Sequence, residues 1–108
     1  MIDFTTIPTS ALPNFKGGEG TFFARMAGDT NCKILHGRLP AGATIGLHTH
    51  EDTAEIIFFL SGSGKMILDG GEETIAAGLC HYCPKGSSHA MINEGNEDIL
   101  FWAVVPKQ

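Results

Sequence analysis

Apolar residues in this chain fall in short alternating or continuous runs, each closed by glycine, proline, asparagine or aspartate. Nowhere do they recur at the three-and-four spacing of a helix face. This pattern limits the fold more than any other feature, because it admits only architectures made of many short strands. The runs cover residues 21–26, 32–39, both sides of His50, 65–69, 72–77, 79–83, 89–93 and 99–105. Turn residues separate them, among them Asp29, Pro40, Gly62, the Gly70-Gly71 pair and Pro84. The expected class is all-β, a sandwich or barrel. Residues 1–19, with Pro8, Pro13, Gly17 and Gly18, read as an irregular or short-strand N-terminal arm lying over a sheet edge.

A chain of 108 residues, 43% hydrophobic and 18% charged, is read as one globular domain, residues 1–108. Its formal charge is -5, and its seven Lys and Arg are scattered, which argues against nucleic acid or an anionic membrane as partner. Met1-Ile2-Asp3-Phe4 lacks the basic start and apolar core of a secretory signal, and the apolar run 56–60 is far too short to span a bilayer. Three cysteines are an odd number and make no complete disulfide framework, so a reducing cytoplasm is the expected setting. Run 56–60 is apolar on both faces. Its outer face needs a cover, from the N-terminal segment or a second subunit, and a homodimer is the expectation.

The chemistry concentrates in residues 42–62. His48 and His50 are two apart, so on a strand both imidazoles leave the same face. Four residues then lead to Glu55, enough for a reversal into a second strand. In a hairpin Glu55 would stand opposite His50, and two imidazoles and a carboxylate would meet at a point suited to a divalent metal. The plain alternative is a histidine-bearing strand facing solvent.

Downstream, Gly78, Pro84, Gly86, His89 and Asn93 fit the spacing G-x5-P-x-G-x2-H-x3-N, as Gly42, His48, His50, Glu55 and Gly62 fit G-x5-H-x-H-x4-E-x6-G. With both sets intact and in order, residues 42–62 and 78–93, the chain resembles the cupin superfamily. The 15 residues between Gly62 and Gly78 resemble the short spacing of its small microbial members. The resemblance implies a conical β-barrel of jelly-roll type, with one divalent transition metal (Mn, Fe, Ni, Zn, Co or Cu) held inside by His48, His50, Glu55 and His89. Neutral imidazoles and one carboxylate would leave such a site with a net charge of about +1, able to attract an anion or polarise a carbonyl. The motif glycines and Pro84 are expected to turn corners, and Asn93 to serve as a structural hydrogen-bonder.

Other residues have two readings each. Cys80 and Cys83 are three apart and face opposite sides of a strand, so they are read as buried thiols acting as small apolar side chains rather than a metal or redox pair. Arg38 is a candidate to pair with a substrate carboxylate; its ordinary reading is a solvated or ion-paired arginine. His36 stands either in the pocket or on the outer face, and His81 at the surface or behind a ligand. Ile57 and Phe59 share the parity of Glu55, as Met91 shares that of His89, and these three are expected to wall the site. Tyr82, Phe101 and Trp102 read as core or interface, Tyr82 also as a hydroxyl donor to the pocket.

Two functions follow from the resemblance. One is a small metalloenzyme acting on a small polar or anionic metabolite, by dioxygen-dependent oxidation or by Lewis-acid lysis or isomerisation. The other is a metal-containing binding or sensing module without turnover. They differ in whether a further acid, base or donor faces the metal, with Glu51, Asp52, Tyr82, His36 and Arg38 as candidates. No helix-turn-helix pattern accompanies the motifs, so a one-chain transcription regulator is not expected.

Overall fold

Side chains that alternate inward and outward along nearly every run give the chain its strands. A computed structural model, describing residues 1–108, has ten: β1 (Ser10–Pro13), β2 (Thr21–Gly28), β3 (Cys32–Leu39), β4 (Thr44–Thr49), β5 (Glu55–Ser61), β6 (Gly64–Leu68), β7 (Gly71–Ile75), β8 (Cys80–Cys83), β9 (Ser88–Ile92) and β10 (Ile99–Pro106). The helical pieces are two 3-10 turns, Phe4–Thr6 and Phe15–Gly17. No helix is long and apolar enough to cross a membrane.

All pairings are antiparallel. They form a six-stranded sheet in the order β1-β2-β3-β10-β5-β8 and a four-stranded sheet in the order β4-β9-β6-β7. Together the two sheets make the expected all-β barrel of jelly-roll type. Its core draws on both, with Phe22, Leu35, Ile57, Phe59 and Phe101 from the larger and Ile45, Met66, Ile75 and Met91 from the smaller. Phe22 and Phe101 stack with centroids 5.8 Å apart and planes 4° from parallel. Gly37 makes room for this, since a Cβ there would lie 2.4 Å from the Phe101 ring.

The expected hairpin between the His48 strand and the Glu55 strand is not formed. β4 pairs with β9 in the small sheet, whereas β5 pairs with β10 and β8 in the large one. Residues 50–54 carry the chain across the end of the barrel, and the register partner of Glu55 is Cys83 rather than His50. Inward side chains on two facing sheets still look at one another, so the donors converge by a different route.

Two smaller expectations also shift. The reversal after β6 is Asp69-Gly70, with Gly71 already in β7. Asp69 and Gly70 both have positive φ (48° and 84°), as a two-residue hairpin turn requires. The N-terminal arm pairs β1 with β2 as an edge strand and also reaches both sides of the barrel. Phe4 packs edge-on against Trp102 on the outside, and Phe15 packs on Phe22 within.

Candidate metal centre

His48 owes its inward aim to an irregularity. Ile45 pairs with Met91 and His48 with His89, so β4 uses one more residue than β9 over the same span. This bulge at Gly46-Leu47 resets the alternation, turning Leu47 outward and leaving both Ile45 and His48 inward. Gly46 is needed there because a Cβ would lie 2.1 Å from the Lys16 carbonyl oxygen of the arm. The bulge carbonyl has a second use, accepting a 2.7 Å hydrogen bond from His48 Nδ1. A carbonyl can only accept, so in the neutral ring the proton sits on Nδ1 and Nε2 is bare.

His50 follows β4 and is held by the second motif: its amide donates to the Ser87 carbonyl at 3.1 Å, and its carbonyl accepts from the Gly86 amide at 2.6 Å. Gly86 takes φ 90° to do this. His50 Nδ1 and Thr53 Oγ1 are 2.7 Å apart, so this ring too is fixed from its far side. Glu55 opens β5, and His89 lies in β9 opposite His48.

These four residues bring one donor atom each to within 4.8 Å of all the others. His89 Nε2 is 3.2 Å from His48 Nε2, 3.0 Å from His50 Nε2 and 2.9 Å from Glu55 Oε1. His50 Nε2 is 3.1 Å from the same carboxylate oxygen. Burial lowers the pKa of His48, the Gly46 hydrogen bond opposing it in part, which favours the neutral, ligating form. Burial alone would raise the pKa of Glu55, but the His50 and His89 rings, when cationic, donate hydrogen bonds to it and with their charge hold it at about 2. Three imidazole nitrogens turned toward one ionised carboxylate make a donor set that suits a divalent metal ion.

Behind His89 stands a residue with no partner in either motif. His81 Nε2 is 2.9 Å from His89 Nδ1, and His81 Nδ1 is 2.5 Å from Glu73 Oε1. His81 is 3% exposed, buried behind His89 rather than at the surface. Alternation along β8, with Cys80 and Tyr82 outward and His81 and Cys83 inward, carried a signal for this, and it leaves Cys80 exposed where a buried thiol was expected. Glu73, on a strand exposed along most of its length, carried none.

A cavity of about 40 Å³ adjoins the donors. Apart from His48, Glu55 and His89 its walls are apolar, including Phe15, Ile57, Met66, Met91 and Phe101.

The family model for the cupin domain matches residues 35–105. This chain belongs to the cupin family. A curated protein of Thermotoga maritima named oxalate-binding protein is 33% identical over 113 residues, covering 97% of this cupin and 92% of the relative. A crystal structure from Thermotoga maritima, described as a predicted oxalate decarboxylase, superposes with a TM-score of 0.93 at 28% identity. That match covers 100% of this chain and 99% of the other. The cupin domain of Schizosaccharomyces pombe Cnp3 shares the fold alone, with a TM-score of 0.81 at 10% identity over 100% of this chain and 74% of that one.

Several candidates lie elsewhere in this cupin. Arg38 does not face the donors. It is on the outer side of the large sheet, over the Phe23 ring at 4.2 Å and 3.7 Å from Asp98 Oδ2. His36 shares that outer side, edge-on to Trp102. Both carry the parity opposite to the inward Leu35, Gly37 and Leu39, which explains the displacement. Tyr82 is outward and exposed, and so offers the cavity no hydroxyl. Glu51 and Asp52 are exposed in the crossing segment. Of the expected wall residues, Ile57 and Met91 line the cavity, while Phe59 lies deeper in the core against Phe101. Asn93 donates to the Leu39 and Glu97 carbonyls and accepts from Gly95, a purely structural set of bonds.

Proposed function

We propose that this cupin, working as one domain, binds a divalent transition metal through His48, His50, Glu55 and His89. The metal is used to capture a small chelating anion, of which oxalate is the type, without turning it over. One observation carries this reading: the cavity beside the donors is small and offers no polar group besides them. One water needs roughly 10–15 Å³ on the same scale, so about 40 Å³ suits a ligand of a few non-hydrogen atoms. When bound, the metal supplies a positive centre for the anion's oxygen atoms. The protein's part is to hold the donors and to exclude water with Ile57, Met66, Met91 and Phe101. Glu51, Asp52, Tyr82, His36 and Arg38 all lie outside the cavity, which favours binding over acid–base catalysis.

The test is calorimetry of Mn(II)- or Zn(II)-loaded protein with oxalate, malonate and succinate. Oxalate is expected to bind at one site per chain and succinate not at all, and His50→Ala or Glu55→Ala is expected to abolish both metal uptake and oxalate binding while the barrel stays folded. Metal-loaded protein indifferent to oxalate would sink the reading. A second reading, a metalloenzyme, is favoured by the likeness to the structure described as a predicted oxalate decarboxylase. Release of carbon dioxide and formate from oxalate would decide for it.

A second copy of the chain is the proposed cover for the outer face of β5, where Phe58 and Leu60 are 49% and 47% exposed beside Tyr82. Phe4 of the arm packs on Trp102 and its carbonyl accepts a hydrogen bond from Arg25, leaving Phe58 and Leu60 exposed. Three free cysteines support a reducing cytoplasm as the setting.

A further inference from the structure

We propose that His81, anchored by Glu73, is a positioning residue that fixes the ring and the tautomer of His89, so that His89 presents a bare Nε2 to the metal. The proposal rests on the metal reading above and assigns the two residues behind it.

The argument is one of hydrogen-bond direction. A carboxylate only accepts, so the 2.5 Å contact between Glu73 Oε1 and His81 Nδ1 places a proton on that nitrogen. In a neutral ring His81 Nε2 is then bare and can only accept. The 2.9 Å contact with His89 therefore places the His89 proton on Nδ1. With a metal held among the four donors, His89 Nε2 is left bare to face it, and it is this atom that stands 2.9–3.2 Å from the donor atoms of Glu55, His50 and His48; without one, the Glu55 carboxylate competes for a proton at the same atom. The two rings are 18° from parallel with centroids 5.2 Å apart, the near-coplanar arrangement that an in-plane lone pair requires.

The placement also spans the barrel. β8, which carries His81, is an edge strand of the large sheet, and β7, which carries Glu73, is an edge strand of the small one. β9, with His89, lies inside the small sheet, so a ligand on one sheet is braced by a residue from the other. His81 and Glu73 both line a surface cleft of about 220 Å³ that does not include His89, so His81 separates that cleft from the donor cluster. A metal-ligating histidine ordinarily has its second nitrogen held by a carboxylate or carbonyl. Here an extra imidazole is interposed, which lets the carboxylate sit half exposed while the ligand stays buried.

Imidazole nitrogen shifts of ¹⁵N-labelled protein, metal-free and loaded with Zn(II) at mildly alkaline pH, read the tautomers directly. The expected result is a proton on Nδ1 of both His89 and His81 in the Zn(II)-loaded state, with the metal-free spectrum as the reference. A proton on Nε2 of either ring in the loaded protein overturns the proposal, and this readout holds even if a variant fails to fold. Zn(II) affinity by chelator competition gives the second readout. His81→Leu is expected to bind roughly 10–100-fold more weakly, and Glu73→Gln several-fold more weakly. His81→Gln, whose amide oxygen can accept from His89 Nδ1, should return close to the wild-type value, and Glu72→Gln should match wild type. His81→Leu binding as tightly as wild type, or His81→Gln as weakly as His81→Leu, would reduce His81 to a core filler and overturn the proposal alone. Wild type taking up no Zn(II) would overturn the metal reading with it.

Discussion

Bringing three imidazole nitrogens together is unfavourable unless their protons are directed elsewhere, and each ring here has its far nitrogen engaged. Gly46, Thr53 and His81 supply those far contacts, and Glu55 supplies the one negative charge on the near side. Because the folded-state pKa of Glu55 is depressed from 4.5 to about 2 by the cationic His50 and His89 rings, its ionised form contributes stability that is in place once pH exceeds about 4.5 and those rings still carry their protons. That contribution fades as pH falls from about 4.5 through about 2. Thermal melts of metal-free Glu55→Gln across this window should therefore lose less stability than wild type; an equal loss would show that Glu55 is not so held. At this scale the convergence of the four candidate donors was legible, since the spacing of His48, His50, Glu55, His89 and the motif glycines carries the resemblance residue by residue. Arg38 and His36 were not, because which face a strand residue takes depends on register, and only neighbours in the fold set that.

The element that matters most is β4, and its bulge is invisible to any alternation rule. Ile45 and His48 differ in parity, so a regular strand would bury one and expose the other; the extra residue at Gly46-Leu47 lets both face inward. Gly46→Ala tests this directly. A Cβ there would meet the Lys16 carbonyl at 2.1 Å, forcing the arm or the bulge to move. The expected loss is roughly 1–3 kcal/mol in denaturant unfolding, with Zn(II) affinity falling because His48 loses its carbonyl partner. Wild-type stability together with wild-type affinity would contradict the packing described. The β4–β5 connection escaped sequence reasoning for a related reason. Four residues suit either a hairpin or a crossing between sheets, and what decides is the partner offered by β9 and β10, far along the chain.

For the whole molecule, fold class and most of the strand order in sequence could be read from glycine and proline punctuation, while the sheet assignment could not. The outward row of Ile56, Phe58 and Leu60 was legible as a face in need of a cover, and the arm leaves most of it open. Sedimentation should show a dimer at micromolar concentration, and the double change Phe58→Asp and Leu60→Lys should give a folded monomer. A monomeric wild type would leave that face without the proposed cover.

Residues 48, 50 and 89 belong to the small sheet and its continuation, and Glu55 to the large one. An ion gripped by all four would therefore act as a rivet between the two halves of the barrel. Amide exchange in β4, β5 and β9 is expected to slow together on adding Zn(II), while β1 and β2 keep their pace. Loading the site would thus make the protein mechanically stiffer as well as competent for its ligand.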